Sequence, residues 1–397
     1  MKKTLLLVGI IILAIGILYS ISKRADNPNF LDLPETAPGS QKAPNSVSTE
    51  DSPVTTVIAQ GLDTPWAIAF LPASPSGGPD GSMLVTERKG TVRLIKDGQL
   101  QEKPVATIGV HEIGEGGLLG ITIHPDFSTN GYVYLYFTQS LSGNVTLNQV
   151  MRMTYQNNQL TNGQVIIDNI PGASNHDGGR LKFGPDGFLY ITTGDAQVSS
   201  RAQDVNSLAG KILRVTDDGS PAPGNPFDFA QGKSFGDPRI YSFGHRNVQG
   251  IAWDKDGGLF ATEHGRSGLL SGLDEINYVQ IGRNYGWPDI QGDETRPGME
   301  TSIKNSGATT TWAPSGMAYL NGSLFFGGLR GQALYEAVLS GNTVTGVKEH
   351  FKGQFGRLRE VVLGPDGMLY ITTSNRDGRG NPITEDDRII KVNPNKL

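Results

Sequence analysis

Cysteine is absent from this 397-residue chain. That removes disulfide staples, thiolate nucleophiles and cysteine-ligated zinc together. No basic block stands in the globular part either. Across the chain 34 Lys and Arg face 39 Asp and Glu, a net charge of −5, so nucleic acid is not an expected partner. Phosphate-binding glycine loops, zinc-type histidine spacings and the Gly-x-Ser-x-Gly nucleophile elbow are missing as well. The acidic segment Thr384–Arg388 and the Asp-rich turns do not match a twelve-residue calcium loop. Beyond the N-terminus, no amphipathic helix of any length stands out.

What is plentiful is glycine and proline, 53 and 23 residues, about a fifth of the chain. Such a composition suits many short strands joined by tight turns.

The N-terminus differs from the rest. Lys2 and Lys3 precede Thr4–Ile21, an uncharged apolar run long enough to approach the hydrocarbon span of a bilayer. The run ends in Tyr-Ser-Ile-Ser-Lys23-Arg24 without a small-x-small cleavage site, which favours an uncleaved anchor over 1–24 above a cleaved signal. Residues 25–52, rich in Pro, Ser, Asn and acid, read as a disordered linker. Lysines held inside would place the C-terminal domain outside the cytoplasm, and cleavage would make it secreted.

From about Thr55 onward one phrase recurs: an alternating apolar strand, a Pro-Asp-Gly-type turn, then a second apolar strand. RLKFGPDGFLYITTGD (Arg180–Asp195) and LREVVLGPDGMLYITTSN (Leu358–Asn375) are the clearest copies. The six turns fall near Asp80, Asp126, Asp186, Asp256, Asn321 and Asp366, between roughly 40 and 70 residues apart, close to one four-stranded blade each. Asp-Gly suits tight hairpins because glycine accepts positive φ without steric cost. The fold class is therefore all-β, a six-bladed β-propeller over 53–397. Val54–Ala59 is expected to complete the last blade beside Asp387–Asn393.

Polar, glycine-dense segments interrupt the phrase where blades meet, and these are the candidate site. In Ser174–Arg180, His176 sits in a glycine-flanked loop before a strand. It could serve as a general base, though a lone histidine more often bonds its own loop. Arg246 and Asn247 stand side by side before another strand, where Arg's planar fork suits carboxylate or quinone oxygens; a structural Arg bridging blades fits equally well. Arg357 and Arg359 are two apart on a strand and should point to one face. With Arg330 they could make a cationic cluster for an anionic ligand, or merely a solvated surface.

Taken in order, GLLGITIHPDF, NHDGGRLKFGPDG, IYSFGHRNVQG, DEINYVQIGRNYGWP and WAPSG resemble the soluble, pyrroloquinoline-quinone (PQQ)-dependent glucose/sorbosone dehydrogenase family over about Gly61–Lys391. The resemblance implies a six-bladed propeller with PQQ and Ca2+ at the channel mouth, an aldose oxidised at C1 to its lactone, and an external electron acceptor. It implies that His176 is the base and that Arg246 lies near the reacting oxygens. Glu115, Asn175, Arg246, Asn247, Thr311, Arg330, Arg357 and Arg359 would meet the cofactor, and carbonyls of Gly265 and Arg266 the calcium. Pairing of two copies is a further expectation. The chain departs from the family pattern at four of these positions. Glu115 replaces a glutamine, Asn175 an aspartate that orients the base, Arg330 a lysine, and Arg266 a proline. Two other readings stay open: a non-catalytic propeller that binds carbohydrate or protein, and a calcium-dependent lactonase or esterase built around Glu115, Asp177 and Glu263.

Overall fold

The computed structural model of the protein describes residues 53–72, 81–141, 145–227, 235–267 and 271–397. The expected anchor and linker, and the turn at Asp80, lie outside the described residues. Among those described, no helix is long and apolar enough to cross a membrane.

Six antiparallel sheets carry the chain, one per blade. Blade one holds Pro65–Phe70, Met83–Glu87, Thr91–Lys96 and Gln99–Leu100, with Ala106–Thr107 added to its third strand. Blade two holds Leu118–Ile123, Tyr132–Leu141, Val145–Gln156 and Gln159–Pro171; blade three holds Leu181–Phe183, Leu189–Thr192, Lys211–Val215 and Ile240–Phe243. Blade four holds Val248–Trp253, Leu259–Glu263, Glu275–Val279 and Lys304–Asn305; blade five holds Pro314–Leu320, Ser323–Gly328, Leu334–Ser340 and Thr343–His350. Blade six takes Leu358–Leu363, Leu369–Thr373 and Ile389–Val392 from the C-terminal end. Its outer strand is Thr55–Ala59, with Thr55 opposite Val392, so the two ends close the ring as expected. Closure leaves each sheet edge short.

The turns work as their residues dictate. At Asp186-Gly187 the glycine takes φ +79°, and the carboxylate accepts from Phe188 N (3.3 Å) and from the Tyr190 hydroxyl (3.0 Å). Asp366, Met368 and Tyr370 repeat these bonds in blade six. Blade two departs from the expected Asp-Gly turn. No glycine follows Asp126, and Phe127–Asn130 instead forms a short helical turn closed by Gly131 at φ +65°.

Neighbouring blades are joined by aromatic edges. Tyr134 meets Phe183, Tyr190 meets Trp253, and Phe70 meets Tyr370 across the ring closure, with centroids 5.2, 5.0 and 4.9 Å apart. The innermost strands pack side by side around the axis, Pro65–Phe70 lying between Leu118–Ile123 and Leu358–Leu363. At the axis Trp66 is 1% exposed and carries Arg180 on its face, 4.4 Å from the ring centre. Arg180 pairs with Glu360 and donates to Gln249 O (2.9 Å). Arg359 reaches the Gln249 side chain at 3.0 Å. This is a polar plug in which Glu360 matches Arg180, while Arg359 has the neutral Gln249 amide as its partner.

Candidate active site

In every blade the start of the first strand and the end of the second lie at the same end, because the two run antiparallel. His176, Arg246, Asn247, Thr311 and Arg357 precede first strands, and Arg266 and Arg330 follow second strands. Topology alone gathers them at one mouth of the channel.

Two adjoining cavities open there. One, about 390 Å³, is lined by Asn175, His176, Gln197 and Arg246. The other, about 380 Å³, is lined by Gly265, Arg266, Asp274, Thr311, Arg330 and Arg357 among others. Glu115, His264, Ser267 and Arg379 face both.

His176 stands on a strained backbone, φ +66°, a region costly for a residue with a side chain. The surroundings fix it there. A side chain at Gly194 would strike the His176 carbonyl, and His176 N donates to Glu115 Oε2 at 3.3 Å. The imidazole Nδ1 lies 2.8 Å from Asp195 Oδ1. Asp195, 1% exposed, also accepts from Gln197 N and from Trp287 Nε1, each at 2.8 Å. A carboxylate so placed accepts a hydrogen bond from Nδ1–H and leaves Nε2 with a free lone pair, the tautomer a base requires. The orienting acid is thus Asp195, and Asn175 takes no part. The Asn175 side-chain oxygen instead accepts from Arg379 Nη2 at 2.8 Å.

Arg246 is buried, and burial lowers its pKa against the pull of Asp195 and Glu263. It donates to His264 O (3.3 Å) and Ser267 Oγ (2.8 Å), lies over the Trp287 ring, and keeps Nε without a partner. Asn247 accepts from Gly178 N (3.0 Å), while its buried Nδ2 is likewise unpartnered. His264 has an unpartnered Nε2, and burial pushes its pKa down to about 4, so at neutral pH it is uncharged.

In the cavity beside Gly265 and Thr311, Asp274 is the organiser. Its carboxylate accepts from Gly265 N (2.8 Å), Thr311 Oγ1 (2.7 Å), Trp312 N (2.6 Å) and Ala313 N (2.9 Å), tying the Gly265 loop to the Thr311 loop. Arg330 is exposed and donates to Ser271 Oγ (2.8 Å); Arg266 has a buried, unpartnered Nε. Arg357 borders the cavity with Nε and Nη2 on Asp377 Oδ2 at 2.9 and 2.8 Å. Arg359 does not line either cavity and turns into the plug beneath, so the two arginines serve different neighbours. The Arg266 carbonyl accepts weakly from Gly272 N at 3.4 Å.

Glu115, Asp177 and Glu263 do not converge on one point, as a hydrolytic metal site would require. Glu115 pairs with Arg379, Asp177 accepts from Asn148 and Ala173, and Glu263 is held by His245 and Arg246 N. Among the described residues no cluster of three or more His, Asp or Glu could hold a metal.

Five residues that sequence reasoning passed over therefore shape the mouth: Asp195, Trp287, Asp274, Asp377 and Arg379. Asp195 left a signal as the acid ending LYITTGD where the matching copy LYITTSN ends in Asn375, and Asp274 and Trp287 stand within the motif DEINYVQIGRNYGWP.

A model of the glucose/sorbosone dehydrogenase family matches residues 62–385. The aldose sugar dehydrogenase YliI of Escherichia coli is 31% identical over 385 residues, covering 89% of this chain and 94% of the relative. Among solved structures, a PQQ-bound aldose sugar dehydrogenase from Streptomyces coelicolor is 38% identical with a TM-score of 0.75, over 85% of this chain and 97% of that one. An oxidoreductase (glucose dehydrogenase) from Thermus thermophilus is 44% identical with a TM-score of 0.78, over 85% and 99%. With the ring of six blades and the family match over residues 62–385, this chain belongs to the glucose/sorbosone dehydrogenase family of oxidoreductases.

Proposed function

We propose that the protein oxidises an aldose at C1 to the lactone, using PQQ and Ca2+ at the channel mouth and passing electrons to an external acceptor. The observation that carries this reading is His176, fixed by Asp195 with Nε2 left free on the wall of an arginine-lined cleft.

The residues fit such a cofactor. The cavity around Asp274 presents Arg266, Arg330 and Arg357, and unpartnered buried polar atoms remain at the mouth on Arg246, His264 and Arg266. A polyanionic quinone is the kind of ligand that would satisfy them. Carbonyls of Gly265 and Arg266 would be the protein's share of a calcium shell, a hard cation that takes oxygen ligands. When bound, PQQ supplies a two-electron hydride acceptor, and calcium polarises it as a Lewis acid.

The chain's own residues do the rest. His176 Nε2 takes the proton from the C1 hydroxyl, and Asp195 stabilises the imidazolium that forms. Trp287 keeps Asp195 in register. Arg246 faces the same cavity as His176 and stabilises developing negative charge on the substrate oxygen. Thr311 and Asp274 fix the floor of the quinone chamber. Lys2, Lys3 and the apolar run after them support an extracytoplasmic location.

The test is reconstitution of the purified chain with PQQ and calcium, followed by dye reduction with a panel of aldoses. Turnover with at least one aldose, dependent on both additions, is expected. No turnover with any sugar, together with no quinone uptake on titration, would overturn the proposal.

A further inference from the structure

We propose that Arg379 is a positioning residue for the anionic quinone, acting through Glu115, whose charge it neutralises; the inference rests on the function proposed above. Arg379 follows the second strand of blade six. It crosses the mouth to Glu115 ahead of blade two and to Asn175 ahead of blade three, with Nη1 2.6 Å from Glu115 Oε1 and Nη2 2.8 Å from Asn175 Oδ1. It faces both cavities, on the wall between them.

The loop that presents it is built for the purpose. Asp377 Oδ1 accepts from Arg379 N at 2.9 Å while Oδ2 holds Arg357, so one carboxylate sets both arginines. A Cβ on Gly380 would come within 2.6 Å of Asn375 O and 2.9 Å of Arg357 Cδ, which keeps this turn against the cavity wall.

Charge makes the role necessary. The cavity around Asp274 is lined by Arg266, Arg330, Arg357 and Arg379 against Glu115 and Asp274. Asp274 is already satisfied by four donors, and Arg357 is already shared with Asp377. Burial opposes the charge on Glu115, yet His264, which is protonated at the low pH where Glu115 titrates, together with Arg379 and Arg359 more than offsets it and holds its carboxyl down at about 2. Glu115 is therefore an anion at the edge of a chamber meant for a polyanion, and Arg379 is the cation in contact with it. Removing Arg379 would leave that anion facing the ligand's carboxylates. It would also free the carboxylate that accepts from His176 N, on the base's own loop.

Titration of PQQ with calcium into the full apo chain, followed by tryptophan fluorescence, reads this without turnover. R379Q is expected to weaken binding by about tenfold or more. R379K should keep most of the affinity, and the double variant R379Q/E115Q should return to within about threefold of wild type. A wild type that binds PQQ beside an R379Q that binds equally well would overturn this inference alone. So would a double variant as weak as R379Q, since removing the stranded charge would then have restored nothing. A wild type that takes up no PQQ would overturn the functional reading and this inference with it.

Discussion

Two Arg–Glu pairs sit at different depths of the same channel, and they do different things. Arg180 and Glu360 form the plug, with side chains 2% and 3% exposed. Arg180 is also fixed by Trp66 and Gln249, and Glu360 by the backbone amides of Ile68 and Val361. Arg379 and Glu115 lie at the mouth, 49% and 17% exposed. Burial decides which pair is part of the fold and which is free to answer a ligand. A buried pair is costly to break because the survivor is left uncompensated, whereas an exposed one contributes little to stability.

The comparison breaks most sharply at the plug. Arg180→Ala should cost about 3–5 kcal/mol of unfolding free energy, measured by chemical denaturation, because it strands Glu360 in the interior. A loss below about 1 kcal/mol would mean that the plug is as dispensable as the mouth. At the mouth the large effect should fall on turnover instead. Asp195→Asn should lower kcat on the order of 10²-fold, about 2.7 kcal/mol of barrier, with PQQ affinity little changed. Equal losses in kcat and in quinone affinity would show that Asp195 shapes the pocket rather than the base.

Glu275 sharpens the comparison as a half-buried carboxyl held by Gly292 N and Asn277 Nδ2 rather than by a cation. Burial, helped by Glu263, pushes its pKa from the ordinary 4.5 up to about 8. The folded state therefore holds the proton more tightly than the unfolded one. The stability this supplies is complete below about pH 4.5 and is lost as pH rises towards 8. Glu275→Gln should remove that slope, on the order of 3–4 kcal/mol, in melts recorded from pH 5 to pH 8. An unchanged slope would place the titration elsewhere. The smallest stability change is expected for Arg379→Gln, below about 1 kcal/mol by denaturation.

Much of the fold was legible because its grammar is local. Asp186-Gly187 and Asp366-Gly367 carry their own turns, and the apolar alternation of LKF and LYIT needs no distant partner. The turn at Asp126 falls where it was expected, but with no glycine after the aspartate it closes through Phe127–Asn130 and Gly131. The site was legible as the places where the phrase breaks, since loops at first-strand starts and second-strand ends must share a mouth. Its pairings were not. Asp195 meets Trp287 from 92 residues away, where blades three and four adjoin, and Arg379 meets Glu115 from 264 away, a contact that only ring closure creates. Arg357 and Arg359 were expected to serve one ligand, but the strand begins only at Leu358. Arg357 lies just ahead of it and reaches Asp377, while Arg359 follows the strand down into the plug.

The central claim is that His176 removes the proton while the quinone chamber stands apart from it. Anaerobic addition of an oxidisable aldose to the PQQ- and calcium-loaded chain, with the quinone absorbance followed through one turnover, tests this most directly. Wild type should show the quinone spectrum lost in a single fast phase, and His176→Ala should hold the same amount of quinone but reduce it 10²–10⁴-fold more slowly. Reduction at the same rate in both would contradict the account.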